Sequence, residues 1–280
     1  MKKYLLLIAP FGLTLTACEQ QPEGEPVVRT ELGEPVASSE PVEELVPTQA
    51  ANPASACQPV TFEGVSLTHC IADPELHRIS TGLAPASGEN FGTIEAWAAG
   101  RNEGDIAFVM NGGMYDDALR PIGYYVQDRD RLAELNRADG DGNFFLKPNG
   151  VFFGTGGRWQ LIETDTFLRT IGTRPEFGTQ SGPMLVINGN LHPEIQDDGP
   201  SKALRNGVGV ASDGKAHFVI SNAPLSFGQL ARFFRDELEV PNALFLDGNI
   251  SSLWDPATGR MDSRRVGPLL VVEKVPGAEQ

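Results

Sequence analysis

The chain has 280 residues and a formal net charge of −15 at pH 7. Such an acidic balance lacks the basic stripe that a nucleic-acid partner requires, so that class of function is set aside. No internal repeat is found, and no second apolar span follows the N-terminal one.

Residues 1–17 read as a lipoprotein signal peptide. Lys2 and Lys3 precede a mostly apolar run from Tyr4 to Thr16. That run falls short of the about 20 apolar residues needed to span a bilayer. Leu15-Thr16-Ala17-Cys18 then offers small residues before a thiol, which predicts cleavage and lipidation at Cys18. Glu19 follows, and by similarity to Gram-negative lipoproteins this places the protein in the cell envelope, anchored by lipid to the outer membrane and facing the periplasm. Residues 18–56 form a tether rich in Pro and Glu, without an aromatic residue. Such a segment cannot bury enough apolar surface to offset its ordering entropy.

Residues 57–275 are one predicted domain, and 276–280 a tail. With Cys18 acylated, Cys57 and Cys70 are the remaining cysteines, an even pair in an oxidising compartment. Two short strands around Glu63-Gly64 would bring them together as a disulfide. A short helix is expected over Ile94–Ala99. Strands are expected over Ile106–Met110, Gly123–Gln127, Gly150–Phe153, Trp159–Glu163 and Met184–Ile187. Ser212-Asp213-Gly214 marks a hairpin between Val208–Ala211 and Ala216–Ile220. A longer helix runs from Phe227 to Leu238, with Ser226 and Gln229 at capping-box spacing. Ala243–Leu246 and Leu269–Glu273 are the last strands. Many strands with few helices predict an α+β domain: a mixed, largely antiparallel sheet core with helices packed on it.

Polar residues that end buried strands are the candidates for chemistry. Asn111-Gly112-Gly113-Met114-Tyr115 follows one apolar strand, and its glycines let backbone approach a ligand closely. Asp247 ends another, before Gly248-Asn249 and Ser251-Ser252; it is a candidate base, nucleophile or metal ligand. Arg205 precedes a third strand with Asn206 and is able to fork two hydrogen bonds to a phosphate or carboxylate. No phosphate loop with Lys-Ser/Thr and no Gly-x-Ser-x-Gly elbow occurs. The four histidines show no metal-ligand spacing. No cofactor is required by these residues, although an acidic site is compatible with a divalent cation such as calcium.

Six stretches occur in an order that is recognisable. They are Phe108–Tyr115, Phe144–Phe152, Thr179–Val186, Arg205–Gly209, Pro241–Gly248 and Gly267–Leu270. This set resembles the phosphodiester glycosidase family, related to the mammalian uncovering enzyme, in its bacterial branch. The resemblance implies hydrolysis of a sugar-1-phosphodiester, such as removal of an N-acetylglucosamine cap from a phosphate ester. It implies Asp247 as base, nucleophile or oxocarbenium stabiliser, Arg205 on the phosphate, and Asn111 with the Gly112 and Gly113 amides on sugar or phosphate oxygens. Tyr115, Lys147, Asn149, Ser181, Gly182, Asn206, Asn249, Ser251 and Ser252 are the implied further contacts. One departure stands out: Asn249 occupies the place of the family's second glycine, so a side chain stands where backbone would be. A non-catalytic lipoprotein binding glycan or a partner protein is the alternative, and the membrane is engaged through the lipid anchor alone.

Overall fold

The computed structural model describes residues 54–278 apart from 86, 87 and 249. The predicted signal peptide, Cys18, most of the tether and Asn249 lie outside the described residues. Among the described residues, no helix is long and apolar enough to cross a membrane.

The domain begins with the expected hairpin, β1 (Cys57–Phe62) and β2 (Val65–Ala72). Its register sets Cys57 opposite Cys70, and the disulfide joins them. Then come β3 (His77–Gly82), α1 (Ile94–Ala98), β4 (Ile106–Asn111), β5 (Tyr125–Gln127) and β6 (Asp130–Ala133). The hairpin of β7 (Gly150–Thr155) and β8 (Arg158–Glu163) leads into α2 (Thr164–Thr170) and β9 (Phe177–Ser181). β10 (Met184–Ile187) and β11 (Asn190–Leu191) follow, then the second expected hairpin, β12 (Asn206–Val210) and β13 (Ala216–Ser221). The long helix is α3 (Phe227–Arg232), which widens to a π turn over Phe233–Glu237. Its capping box is formed in both directions between Ser226 and Gln229. The chain closes with β14 (Asn242–Asp247), β15 (Leu253–Asp255), β16 (Arg260–Met261) and β17 (Leu269–Lys274).

These strands make three sheets. Their orders are β1-β2-β13-β12-β14-β10-β11, β16-β15-β4-β17-β3 and β6-β5-β9-β7-β8. The class is α+β on a β-sheet core, as expected. Every ladder among the described residues is antiparallel, so the sheets are not mixed. Six of these pairs, β1–β2, β5–β6, β7–β8, β10–β11, β12–β13 and β15–β16, are hairpins, which pair antiparallel.

One core lies where the sheets face each other. Phe108, Phe152 and Phe218 come from the three sheets and meet edge to face, with ring centroids 5.2 and 5.9 Å apart about Phe218. Leu244, Leu246 and Leu270 join this cluster. A second core lies on the opposite face of the seven-stranded sheet, where Leu230, Phe233 and Phe234 cover Val219 and Phe245. A strand alternates its side chains between faces. So Leu244 and Leu246 serve the first core while Ala243 and Phe245 serve the second. The first core brings ends of β4, β9, β12 and β14 together, and polar side chains replace apolar ones there.

Candidate active site

Asn111 ends β4, Asn206 opens β12 and Asp247 ends β14. Asn206 and Asp247 are register partners, and the ladder slips between Asn206 and Gly207. The Nδ2 amide of Asn206 donates to the Asn111 carbonyl at 3.0 Å and to Asn111 Oδ1 at 2.9 Å. Asn206 Oδ1 accepts the Asp247 N–H at 2.8 Å. Asn111 Oδ1 also accepts the Ser252 N–H at 2.8 Å, and Asn111 Nδ2 donates to Asp247 Oδ2 at 3.4 Å. The two asparagines are fully buried, so these bonds replace water for every group involved. They fix the Asp247 backbone from beneath and touch its carboxylate from one side.

Asp247 itself is only partly buried. Burial pushes its carboxyl up to about 6, against the Gly248 N–H and the Asn111 amide, which favour the anion. The Gly248 N–H donates to Asp247 Oδ1 at 2.7 Å. A carboxyl in this state exchanges a proton near neutral pH. Ser251 Oγ donates to the Gly248 carbonyl at 2.7 Å and shapes the turn after Asp247. Ser252 Oγ is buried at the same junction and has no hydrogen-bond partner among the described residues.

Tyr115 reaches the site from the loop after β4. Burial raises its phenol above the usual range, Asp247 adds to the shift, and Arg265 opposes it. The phenol therefore lies within the field of both groups. Its hydroxyl donates to the Arg265 carbonyl at 3.2 Å. The arrangement extends the β4–β17 ladder, in which Asn111 pairs with Leu269 and the Gly112 N–H donates to the Pro268 carbonyl at 2.7 Å. Arg265 is exposed, and its guanidinium has no ion-pair partner among the described residues. Sequence reasoning passed over it, because an exposed arginine just before Gly267-Pro268 carries no local signal.

Several expected contacts take other roles. Arg205 is buried, and its side chain lies on the face opposite Asn206. Its Cζ stacks 3.6 Å from the Phe227 ring centre, Nε donates to the Leu225 carbonyl at 3.1 Å, and Nη2 donates to the Ser201 carbonyl at 3.1 Å. Burial lowers it to about 10, with no influence from Asp247. The structure thus does not bring the Arg205 guanidinium into the Asp247 network. The Gly112 and Gly113 amides are not free for substrate either, since Gly113 N–H donates to Thr179 Oγ1 at 3.1 Å. What approaches Gly113 closely is the chain itself, because a Cβ there would stand 2.3 Å from the Gln180 carbonyl oxygen. Gly182 packs as tightly, with Asn149 Cβ and the Phe144 carbonyl oxygen each 2.7 Å from where its Cβ would be. Ser181 Oγ donates to the Leu246 carbonyl at 2.7 Å and ties β9 to β14 just before Asp247. Asn149 donates to the Phe144 carbonyl at 2.9 Å, and Lys147 pairs with Asp139 at 2.5 Å on the exposed side. Lys147 and Asn149 line a separate hollow of about 390 Å³ with Arg137 and Glu163. Among the described residues, no three His, Cys, Asp or Glu side chains gather as a metal site.

Residues 104–273, which hold the whole Asn111–Asn206–Asp247 network, match the family described as phosphodiester glycosidase. The chain belongs to the phosphodiester glycosidase family. Among curated proteins, it is similar to the uncharacterized protein YigE of Escherichia coli K12, with 36% identity over 183 residues, 65% of this chain and 71% of that protein. Among solved structures it is similar to the zebrafish N-acetylglucosamine-1-phosphodiester alpha-N-acetylglucosaminidase catalytic domain, auto-inhibited by its pro-peptide. That likeness has a TM-score of 0.52 at 16% identity, over 77% of this chain and 81% of the zebrafish one. A hypothetical protein from Synechocystis is similar with a TM-score of 0.51 at 15% identity, over 78% and 61% of the two chains. At such identities the two structures share this chain's fold.

Proposed function

We propose that this phosphodiester glycosidase hydrolyses a sugar-1-phosphodiester in the bacterial envelope, held at the outer membrane by lipid on Cys18, with Asp247 acting at the anomeric carbon. The observation that carries the reading is a single carboxylate, partly open and pushed up to about 6, seated on a buried asparagine network. No second carboxylate is hydrogen-bonded into that network among the described residues. A glycosidase that expels a sugar alkoxide needs a second carboxyl as acid. A phosphate monoester leaves as a stable anion, so one carboxylate and a cation suffice. In this reading Asp247 deprotonates a water that attacks the anomeric carbon, or attacks it directly to form a glycosyl ester that water then hydrolyses, releasing the sugar and freeing the carboxylate; in either case the bond from that carbon to the phosphate oxygen breaks, and the phosphate monoester departs with the electron pair. Arg265, exposed on the Tyr115 rim, takes the phosphate charge. Arg205, held by carbonyls and Phe227, is a positioning residue for the start of β12.

The zebrafish neighbour's name makes an N-acetylglucosamine phosphodiester the first substrate to try. The purified chain is incubated with a nitrophenyl phosphodiester of N-acetylglucosamine, and sugar release is followed. Release that falls about tenfold or more in Asp247→Asn supports the reading. Binding without release would favour a non-catalytic glycan-binding lipoprotein instead.

A further inference from the structure

At the end of β7 away from Gly150, three loops bring arginines to one groove. Arg129 stands in the turn between β5 and β6, Arg158 opens β8 after Gly156-Gly157, and Arg174 lies between α2 and β9. The groove has a volume of about 700 Å³, with Gln160 and Thr173 on its walls and the buried Phe153 in its lining. No carboxylate is among the residues that line it. In a chain of net charge −15, this is a local inversion of sign.

The fold leaves most of that charge unanswered. Arg129 pairs with Glu176 beside the groove. Arg174 donates to the Arg129 carbonyl at 3.1 Å and has no carboxylate partner among the described residues. Arg158 is exposed and makes no ion pair among them. Like charges that share a hollow repel each other, and an anion between them removes that cost. The acidic remainder of the surface does not cancel the effect. Screening in about 0.15 M salt limits exposed charges to about 8 Å, so a ligand in the groove responds to the guanidinia in contact with it.

We propose that this groove is a binding site for a phosphate-bearing glycan, separate from the Asp247 site. Guanidinium forks of Arg158 and Arg174 match phosphate oxygens in pairs. Gln160 and Thr173 supply the donors and acceptors that sugar hydroxyls need. The volume lies within the range of about 300–1,000 Å³ that holds a small-molecule-sized ligand. Gly150 pairs with Ser181 near the Asp247 network, whereas Thr155 pairs with Arg158 at the groove. Six strand residues at about 3.3 Å each separate the two ends. The groove and the Asp247 network therefore stand at opposite ends of β7, so a ligand held at one leaves the other free for chemistry.

The test uses the full chain carrying Asp247→Asn, so that binding is read without turnover. Its affinity for a phosphomannan oligosaccharide is compared with that of the same chain carrying Arg158→Ala and Arg174→Ala. The proposal expects about a tenfold or greater loss of affinity, a shallower salt dependence and no measurable binding of neutral mannan. Both arginines are exposed, and an unchanged near-ultraviolet dichroism spectrum checks the fold. In the chain with Asp247 intact, the double substitution should leave turnover of a small sugar phosphodiester unchanged. Equal affinity in the two chains would overturn the proposal, and so would equal binding of neutral mannan or of free inorganic phosphate. Loss of the assigned Asp247 chemistry would leave this affinity difference standing, so the two readings fail separately.

Discussion

Asn206 holds Asn111 and Asp247 with opposite ends of one amide: its NH2 donates to both oxygens of Asn111, and its oxygen accepts the Asp247 N–H. Neither end is replaceable by water, because the side chain is fully buried. Asn206→Ala is expected to lower stability by about 2 kcal/mol or more, the cost of leaving buried polar groups unpaired. Urea unfolding measures this. Asn206→Asp keeps the acceptor but loses both donations and sets a second carboxylate near Asp247. In that variant the acid limb of the activity–pH profile should move to higher pH, and an unmoved limb would argue against the network.

The raised carboxyl of Asp247 has a consequence for stability with a definite sign. Its folded value, about 6, lies above the ordinary carboxyl value of 3.8, so the folded state binds more protons between them. Folding is then penalised as pH rises through that window. A shift of this size corresponds to roughly 3 kcal/mol at neutral pH. Asp247→Asn removes the penalty. The stability gain should be absent below about pH 4 and complete above about pH 6 to 7, as followed by denaturant midpoints at each pH. Turnover that needs the anion should fall as pH drops below about 6.

Arg205→Lys separates a positioning role from a phosphate-binding one. Lysine neither stacks flat on Phe227 nor reaches the Leu225 and Ser201 carbonyls as a fork. A loss of about 2 kcal/mol in stability is expected, while KM for a small phosphodiester changes little. A large rise in KM at unchanged stability would return Arg205 to the phosphate.

Arg265→Ala should act the other way. The side chain is exposed and unpaired among the described residues, so its removal leaves the denaturation midpoint in place. KM for a phosphodiester substrate is expected to rise about tenfold, with partial rescue by Arg265→Lys. The same KM in wild type and Arg265→Ala would remove Arg265 from the phosphate.

Reduction of Cys57–Cys70 tests the hairpin. The bridge closes a loop of sequence separation 13, and loop-closure entropy for such a length is about 3 kcal/mol. Cys57→Ser with Cys70→Ser should lower stability by about that amount without altering KM, because neither residue is bonded to the Asp247 network.

The sequence was legible where apolar runs were continuous. β4, β13, β14 and β17 each present unbroken apolar stretches, and Asn111 and Asp247 stood out as the polar residues ending two of them. β9 was missed because Phe-Gly-Thr-Gln-Ser has no apolar alternation, although all five residues are buried. Its polar side chains are satisfied internally. Gln180 alone accepts from the Tyr124 and Asn136 N–H groups and donates to the Asn136 carbonyl and Thr164 Oγ1. The short α2 has no side-chain cap to mark its start. Arg205 was given the phosphate because sequence order does not reveal which face of a strand a residue takes. One step along β12 reverses the face, so Asn206 entered the network and Arg205 went to the aromatic side.

The first disulfide partner is also the first residue of β1, and its bridge reaches β2, which is paired in turn with β13. Tension arriving from the N-terminal side of residue 57 therefore passes through a covalent bond into β2. The hairpin between the cysteines is bypassed and carries none of it. Mechanical failure would have to begin deeper, at the β2–β13 seam, where six residue pairs resist in shear.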